Sequence, residues 1–297
     1  MNGILCINKP ADFTSFDVIA KLRGILQMKR LGHGGTLDPM ATGVLVVFAG
    51  SATKACDIMP DNTKSYIAGF KLGVNSDTQD ITGNIVHVSD MAVEKDLICS
   101  VLPQFTGKIL QIPPMYSAVQ IDGKRLYDLA RKGIEVERTP RETEIMSVIL
   151  SEYDSEKREG TLKIDCGKGT YVRTVINDIG EKIGCGGIMT SLVRTSSSGF
   201  LLEECYTFDE VQKAKDENYL ESLILPVERV FEKMNRLKLN EVQTRMYKNG
   251  VKLDLERVHN IKSDVSDYAV YDFSGSFMGT AKADFLNGVL RVGKNLV

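Results

Sequence analysis

The chain predicts an α+β fold with a small β-rich unit at its C-terminal end, and three observations carry that reading. Apolar runs of strand length alternate with capped helical segments through the first two thirds. The run Val44-Leu45-Val46-Val47-Phe48-Ala49 is apolar throughout, the mark of a buried element. Beyond about Leu237, one short helical stretch is followed by strand-like runs separated by turn residues.

Taken in order, Ile4 to Ile7 reads as a strand that stops at Lys9-Pro10. Thr14-Ser15-Phe16-Asp17 gives a capping-box start to a helix whose apolar positions include Phe16, Ile19, Leu22 and Leu26. Ser51 to Met59 reads as helical, Tyr66 to Leu72 as a strand, and Ala92 to Leu102 as an amphipathic helix. Gln111 to Ala118 is an extended loop fixed by Pro113 and Pro114. A basic segment then ends at Gly133, a natural helix stop. Strands follow at Ile145 to Tyr153 and Gly160 to Cys166, then a helix from about Gly169 to Ile183 that ends at Gly184. Thr207-Phe208-Asp209-Glu210 opens another capped helix. The tail holds a helix, Glu241 to Asn249, and strands at Asp267 to Asp272 and Gly288 to Val292.

With 297 residues, 43% hydrophobic and 26% charged, the chain is long enough for one large and one small domain and has a soluble, globular composition. No apolar run approaches the roughly eighteen residues of a membrane span. The apolar start breaks at Asn8 and lacks a basic leader, so a cytoplasmic protein without a signal peptide is expected. Cys6, Cys56, Cys99, Cys166, Cys185 and Cys205 form no Cys-x-x-Cys pair, which predicts free thiols and neither a metal site nor a disulfide framework.

The net charge of -2 does not advertise a nucleic-acid binder. Local charge differs. Lys21, Arg23, Lys29 and Arg30 precede Gly32, and Lys124, Arg125, Arg131, Lys132, Arg138 and Arg141 face only Asp128, Glu135 and Glu137. Such runs serve as solvated faces, and flanking a site they also suit a phosphate track.

The site itself is expected in Gly32-His33-Gly34-Gly35-Thr36-Leu37-Asp38-Pro39, which leads into the buried run. Glycines allow positive φ and close approach of a ligand. Pro39 biases Asp38 toward an extended conformation, presenting a short carboxylate away from regular structure. Asp before Pro is also a common turn arrangement, and a histidine among glycines a common turn residue, so the residues alone leave both readings open.

A resemblance goes further. Gly32-His33-x-Gly35-Thr36-Leu37-Asp38-Pro39-x-Ala41-x-Gly43-Val44-Leu45 resembles the signature of the TruB family of tRNA pseudouridine synthases. Companion stretches resemble that family in the same order: Lys9-Pro10 through Thr14-Ser15, with Asp12 where a glycine is usual, and Lys64-x-Tyr66 with Leu72-Gly73 and Ser76-Asp77-Thr78-x-Asp80-x-x-Gly83. Next come Pro113-Pro114-x-Tyr116-Ser117-Ala118, with Gln120 where a lysine is usual, then Lys168-Gly169-Thr170-Tyr171-x-Arg173 and Leu192-x-Arg194-Thr195.

The resemblance implies a pseudouridine synthase fold with a mixed, mostly antiparallel central sheet flanked by helices over residues 1–232, and a PUA-like RNA-binding domain over residues 233–297. It implies Asp38 as nucleophile, Arg173 as its salt-bridge partner, Tyr66 against the target base and Leu192 closing the base pocket. His33 would enter the RNA loop, Lys9 and Tyr171 would contact substrate, and Lys124, Arg125 and Arg131 would grip the T-arm. The implied reaction converts uridine to pseudouridine at position 55 of tRNA, by a stand-alone monomer, with neither metal nor organic cofactor. Two rivals share the basic features, a non-catalytic tRNA-folding module and a guide-RNA-dependent pseudouridylase. A glycosidase-type hydrolase would want two flanking acids, and the central stretch offers one.

Overall fold

A computed structural model describes residues 1–296. The strands are β1 (Gly3–Lys9), β2 (Leu31–Gly34), β3 (Thr42–Ala49), β4 (Lys64–Leu72), β5 (Val74–Ser76), β6 (Ile85–His87), β7 (Gly107–Gln111), β8 (Gln120–Ile121), β9 (Lys124–Arg125), β10 (Arg141–Asp154), β11 (Glu159–Cys166), β12 (Gly187–Ser197), β13 (Phe200–Leu201), β14 (Asn235–Lys238), β15 (Leu253–Asp254), β16 (Asp267–Tyr271), β17 (Phe277–Asp284) and β18 (Val289–Asn295). The helices are α1 (Ser15–Leu26), α2 (Lys95–Val101), α3 (Leu126–Ala130), α4 (Val172–Ile183), α5 (Phe208–Asp216) and α6 (Glu241–Lys248).

The larger sheet runs β1-β3-β12-β4-β11-β10-β7, with β2 on β3 and β13 on β12. Its pairings are antiparallel except β3 with β12. That parallel seam joins the early loop to the late motif, since Arg194 lies opposite Gly43. Side chains alternate across a strand, so β3 feeds two cores. Val44, Val46 and Phe48 join Ile4 and Cys6 on one side, while Leu45, Val47 and Ala49 lie under α1 and α5 on the other. A third core packs Val175, Ile176 and Ile179 of α4 against Tyr66, Ala68, Phe70 and Leu72 of β4.

A five-stranded sheet, β14-β16-β17-β18-β15, starts at Asn235 and has its own core around Leu237, Tyr247, Tyr268 and Val270. Ala269, Tyr271 and Leu296 also pack into the cluster holding Ile4 and Phe48, so the second sheet leans on the first.

The capping box at Thr14 and Asp17 is present, as are those at Thr207 with Glu210 and Asn240 with Gln243. Gly184 ends α4 in the left-handed conformation. Five expectations need correction. Phe16 is 68% exposed, and Val18 takes the buried place on α1. The segment after β3 is a short 3-10 turn over Gly50–Ala55, and the helix expected from Ala92 starts only at Lys95. His33 lies on β2, paired with Val47, rather than in a loop. Finally, β17 falls between the two strands expected in the tail. No helix among the described residues is long and apolar enough to cross a membrane.

Candidate active site

The loop between β2 and β3 is held from three sides, and this holding presents Asp38. Ser15, at the start of α1, accepts from the Leu37 N–H at 2.9 Å and donates to the Leu37 carbonyl at 3.4 Å. Lys9 is fully buried; its ammonium donates to the carbonyls of Pro10 (2.9 Å), Phe13 (2.6 Å) and Pro39 (3.0 Å). Asp12 donates its N–H to Pro39 O at 3.0 Å from a left-handed conformation, φ +63°. The glycine usual at this position suits that φ, and Asp, tolerated in the left-handed region, keeps the turn.

Arg194 on β12 supplies the third side. Also fully buried, it donates to Val44 O (2.7 Å), Gly35 O (3.1 Å) and Thr36 O (3.4 Å). The seam is tight enough to require glycine at position 43, where φ is +101° and a Cβ would sit 2.2 Å from Arg194 O.

Arg173 approaches from α4. Its side chain is 6% exposed and meets Asp38 Oδ1 at 3.4 Å, Tyr116 O at 2.6 Å and Asp80 Oδ2 at 3.6 Å. The Asp38 side chain is 31% exposed, so the nucleophile candidate faces an opening while its cation is enclosed. Burial pushes the Asp38 carboxyl above its ordinary range; Arg173 opposes that, Asp80 adds to it and Lys9 opposes it. The guanidinium therefore counters desolvation at Asp38 rather than driving its pKa low.

Tyr66 is buried on β4, opposite Arg194 of β12, and shares a core with Leu37, Ala41 and Leu192. Burial raises its phenol, with Arg194 pulling the other way. Leu192 lies opposite Ala68 and is buried beside this ring. Burial, and then Arg194, lower the His33 imidazole below its ordinary value, and its Nδ1 is buried without a hydrogen-bond partner.

Other expected contacts take different forms. Lys9, expected to touch substrate, is an internal clasp whose ammonium burial lowers to about 8, partly offset by Asp38. Tyr171 caps α4, its backbone held at both ends by Gln111, which accepts from its N–H (3.0 Å) and donates to its carbonyl (3.2 Å). Lys124, Arg125 and Arg131 are exposed around the β8–β9 hairpin and α3. Arg125 donates to Tyr127 Oη at 2.6 Å, and Arg131 lies 5.4 Å from the Tyr127 ring. This basic segment reaches the site through its backbone: Tyr127 N–H donates to Ser117 O, next to the carbonyl that Arg173 grips.

The sequence reading did not assign roles to Asp80, Arg194, Gln111 or the Tyr116 carbonyl. Asp80 and Arg194 stood inside recognised stretches, and a charged residue with no local partner was the available signal. Asp80 is 3% exposed and anchored by Thr78 Oγ1 (2.7 Å), Thr82 N–H (2.9 Å) and Thr82 Oγ1 (2.5 Å). All six cysteines are free. Among the described residues, no group of three or more His, Cys, Asp or Glu is placed to hold a metal ion.

Comparison with known proteins agrees with this geometry. Residues 23–172 match the TruB family pseudouridylate synthase N-terminal domain, and residues 173–232 match the tRNA pseudouridylate synthase B C-terminal domain. A protein from Dehalococcoides mccartyi named tRNA pseudouridine synthase B is 42% identical over 279 residues, 94% of this chain and 91% of that protein. One of the same name from Clostridium perfringens is 38% identical over 96% of each chain. Among solved structures, that of a Cbf5-Nop10-Gar1 complex aligns with a TM-score of 0.77 at 25% identity, covering 99% of this chain and 85% of its counterpart. An H/ACA RNP bound to a substrate RNA shares the fold, with a TM-score of 0.75 at 22% identity. With a carboxylate and an arginine meeting beside a core that holds Tyr66, and family matches running from residue 23 to 232, this chain belongs to the TruB family of pseudouridylate synthases.

Proposed function

We propose that this chain isomerises uridine to pseudouridine in the T-loop of tRNA, at position 55, acting alone as a monomer in the cytoplasm with Asp38 as nucleophile. The reaction breaks the bond between N1 of uracil and C1' of ribose, turns the base and forms a bond from C5 to C1'. The C5 proton leaves and N1 gains one, so the nucleotide composition is unchanged. A carboxylate suits this work only if ionised. Arg173 supplies the opposing charge where burial would otherwise protonate Asp38.

Tyr66 forms the wall against which the uracil lies and assists removal of the C5 proton; burial keeps its hydroxyl protonated at rest, and Arg194 favours the phenolate. Leu192 closes the pocket beside it. Everting the target nucleotide costs a few kcal/mol, and His33 fills the space left in the RNA loop. Lys124, Arg125 and Arg131 track the T-arm phosphates, and residues 233–297 add a second RNA contact. The observation carrying this reading is the Asp38–Arg173 contact, with the acid open and the base enclosed.

The test is tritium release from a tRNA transcript labelled at C5 of uridine. Wild type is expected to release label, and Asp38→Asn to lose at least about 10⁴-fold in rate. Release by the variant at the wild-type rate overturns the assignment. The likeness to the protein of the Cbf5-Nop10-Gar1 complex favours one second reading, guided modification. Activity on bare transcript, with no other RNA or protein added, separates the two.

A further inference from the structure

Two cations meet at Gly35, Lys64 and Arg194, and a third, Lys168, acts on Lys64 from nearby; none of the three forms an ion pair with a carboxylate among the described residues. Lys64 opens β4, two residues before Tyr66 and therefore on the same face of the strand. Its side chain runs along the catalytic loop: a Cβ on Gly35 would lie 3.3 Å from Lys64 Cε and 3.6 Å from an Arg194 guanidinium nitrogen. The Lys64 ammonium has one recorded hydrogen bond, to Asn62 O at 3.0 Å. Asp61, the acid nearest in sequence, is taken by Lys233 at 2.9 Å. Lys168 is exposed two residues past Cys166, which pairs with Lys64 across the sheet.

Arg194 spends its donors on backbone carbonyls, which are neutral, so the positive charge here is not cancelled. Holding an ammonium half-buried beside like charges is unfavourable unless an anion completes the site. Burial and then Arg194 weigh most against the charged form of Lys64, with Lys168 adding to them and Cys166 and Asp61 opposing. Gly35 adds a backbone that a ligand can approach closely, exposed and at φ +82°.

We propose that Lys64, with Lys168 outside it, forms the subsite for the phosphodiester flanking the everted nucleotide, fixing the ribose over Asp38. This rests on the uridine-isomerising reading and adds to it the group that anchors the backbone at the reacting residue. Lys64 and Tyr66, side by side on β4, then hold the phosphate and base of one nucleotide. Arg194 lies behind both, fixing the loop while contributing field without making the contact.

The experiment is a binding and turnover cycle with a T-arm hairpin RNA carrying a neutral methylphosphonate in turn at the phosphate 5' or 3' of the target uridine. Against wild type, one of the two substitutions is expected to weaken binding about tenfold. Lys64→Met weakens binding of the unmodified hairpin by a similar factor and lowers the salt slope of log K by about 0.7 to 0.9, one phosphate contact. On the sensitive hairpin, Lys64→Met has no further effect, and Lys64→Arg keeps most of the wild-type affinity. Multiplying effects of the RNA and protein changes, or an unaltered salt slope, overturns the subsite. So does wild-type indifference to both methylphosphonates, a result independent of whether any variant folds. Absence of tritium release by wild type from the unmodified hairpin counts against the isomerase reading instead, and the binding cycle still decides Lys64.

Discussion

Two arginines flank the Asp38 loop, both buried, and their partners separate chemistry from architecture. Arg194, at 0% exposure, satisfies its guanidinium with the carbonyls of Gly35, Thr36 and Val44. The parallel seam between β3 and β12 sets Arg194 opposite Gly43, from where it reaches both Val44 on β3 and the loop carbonyls of Gly35 and Thr36. Arg173, at 5%, is shared between Asp38, Asp80 and the Tyr116 carbonyl. Its carboxylate distances of 3.4 and 3.6 Å exceed the roughly 2.7–2.9 Å of a tight charge-assisted bond. Asp80 is anchored by Thr78 and Thr82, whereas Asp38, among the described residues, has this long contact alone and is 31% exposed. A guanidinium bonded to carbonyls holds a shape; one loosely shared between carboxylates leaves the exposed acid free to meet a ribose. Burial alone would rank the two arginines together.

The largest effect that sharpens this contrast is on turnover. Arg173→Ala is expected to cut kcat by about 10³-fold, the scale of losing a buried charge-stabilising group. Tritium release against pH should also show its acid limb moving upward, because Arg173 is the first influence lowering the Asp38 carboxyl. An unmoved acid limb would break the ion-pair assignment. The variant also strands Asp80 in the interior, at about 3 kcal/mol; adding Asp80→Asn should return most of that stability, read by urea unfolding, without returning activity.

Arg194 should behave in the opposite sense. Arg194→Lys keeps the charge but replaces three spread nitrogens, each meeting a different carbonyl, by one ammonium, leaving buried acceptors unpaired at about 2–3 kcal/mol. Urea unfolding should register that loss, while the folded fraction keeps turnover within about tenfold of wild type. A stable Arg194→Lys protein with no turnover would dissolve the distinction between the two arginines.

Much of the scaffold around this site was legible from residue pattern, whereas Asp38 was singled out only by the family resemblance. Thr14 and Asp17 announce the capping box, and the unbroken run from Val44 foretells a strand feeding two cores. Arg173 stands in the first turn of α4, where the dipole disfavours a cation unless an acid is near. What escaped depends on contacts remote in sequence. Lys9 and Lys64 are both lysines beside family-like stretches, yet one donates to three carbonyls indoors and the other lies half-exposed with one. Nothing in a linear spacing distinguishes them, because the difference is made by Pro39 and Gly35 arriving from another strand connection. Phe16 misleads for a related reason: the helical period allows it a place on the buried face, but the face that packs on β1 and β3 runs through Ser15, Val18, Ile19, Leu22 and Leu26.

The smallest effect tests what a buried carboxyl does without an arginine. Asp178 lies on α4, five residues beyond Arg173, and forms no ion pair among the described residues; burial raises it from an ordinary 3.8 to about 6, opposed by a hydrogen bond from Asn177 and reinforced by Glu181. Because its folded pKa lies above the unfolded one, the native state holds the proton more tightly. Stability from this group is complete below about pH 4 and drains away as pH rises through 6. Asp178→Asn should therefore stabilise the protein at pH 7.5 by about 1 kcal/mol, after discounting for partial solvent access. The gain should vanish at pH 3.5, where the native carboxyl is neutral as well. Urea unfolding at the two pH values decides it: an equal gain at both would mean that packing, rather than charge, sets the difference, and that burial at Asp38 is a weaker force than Arg173 needs to oppose.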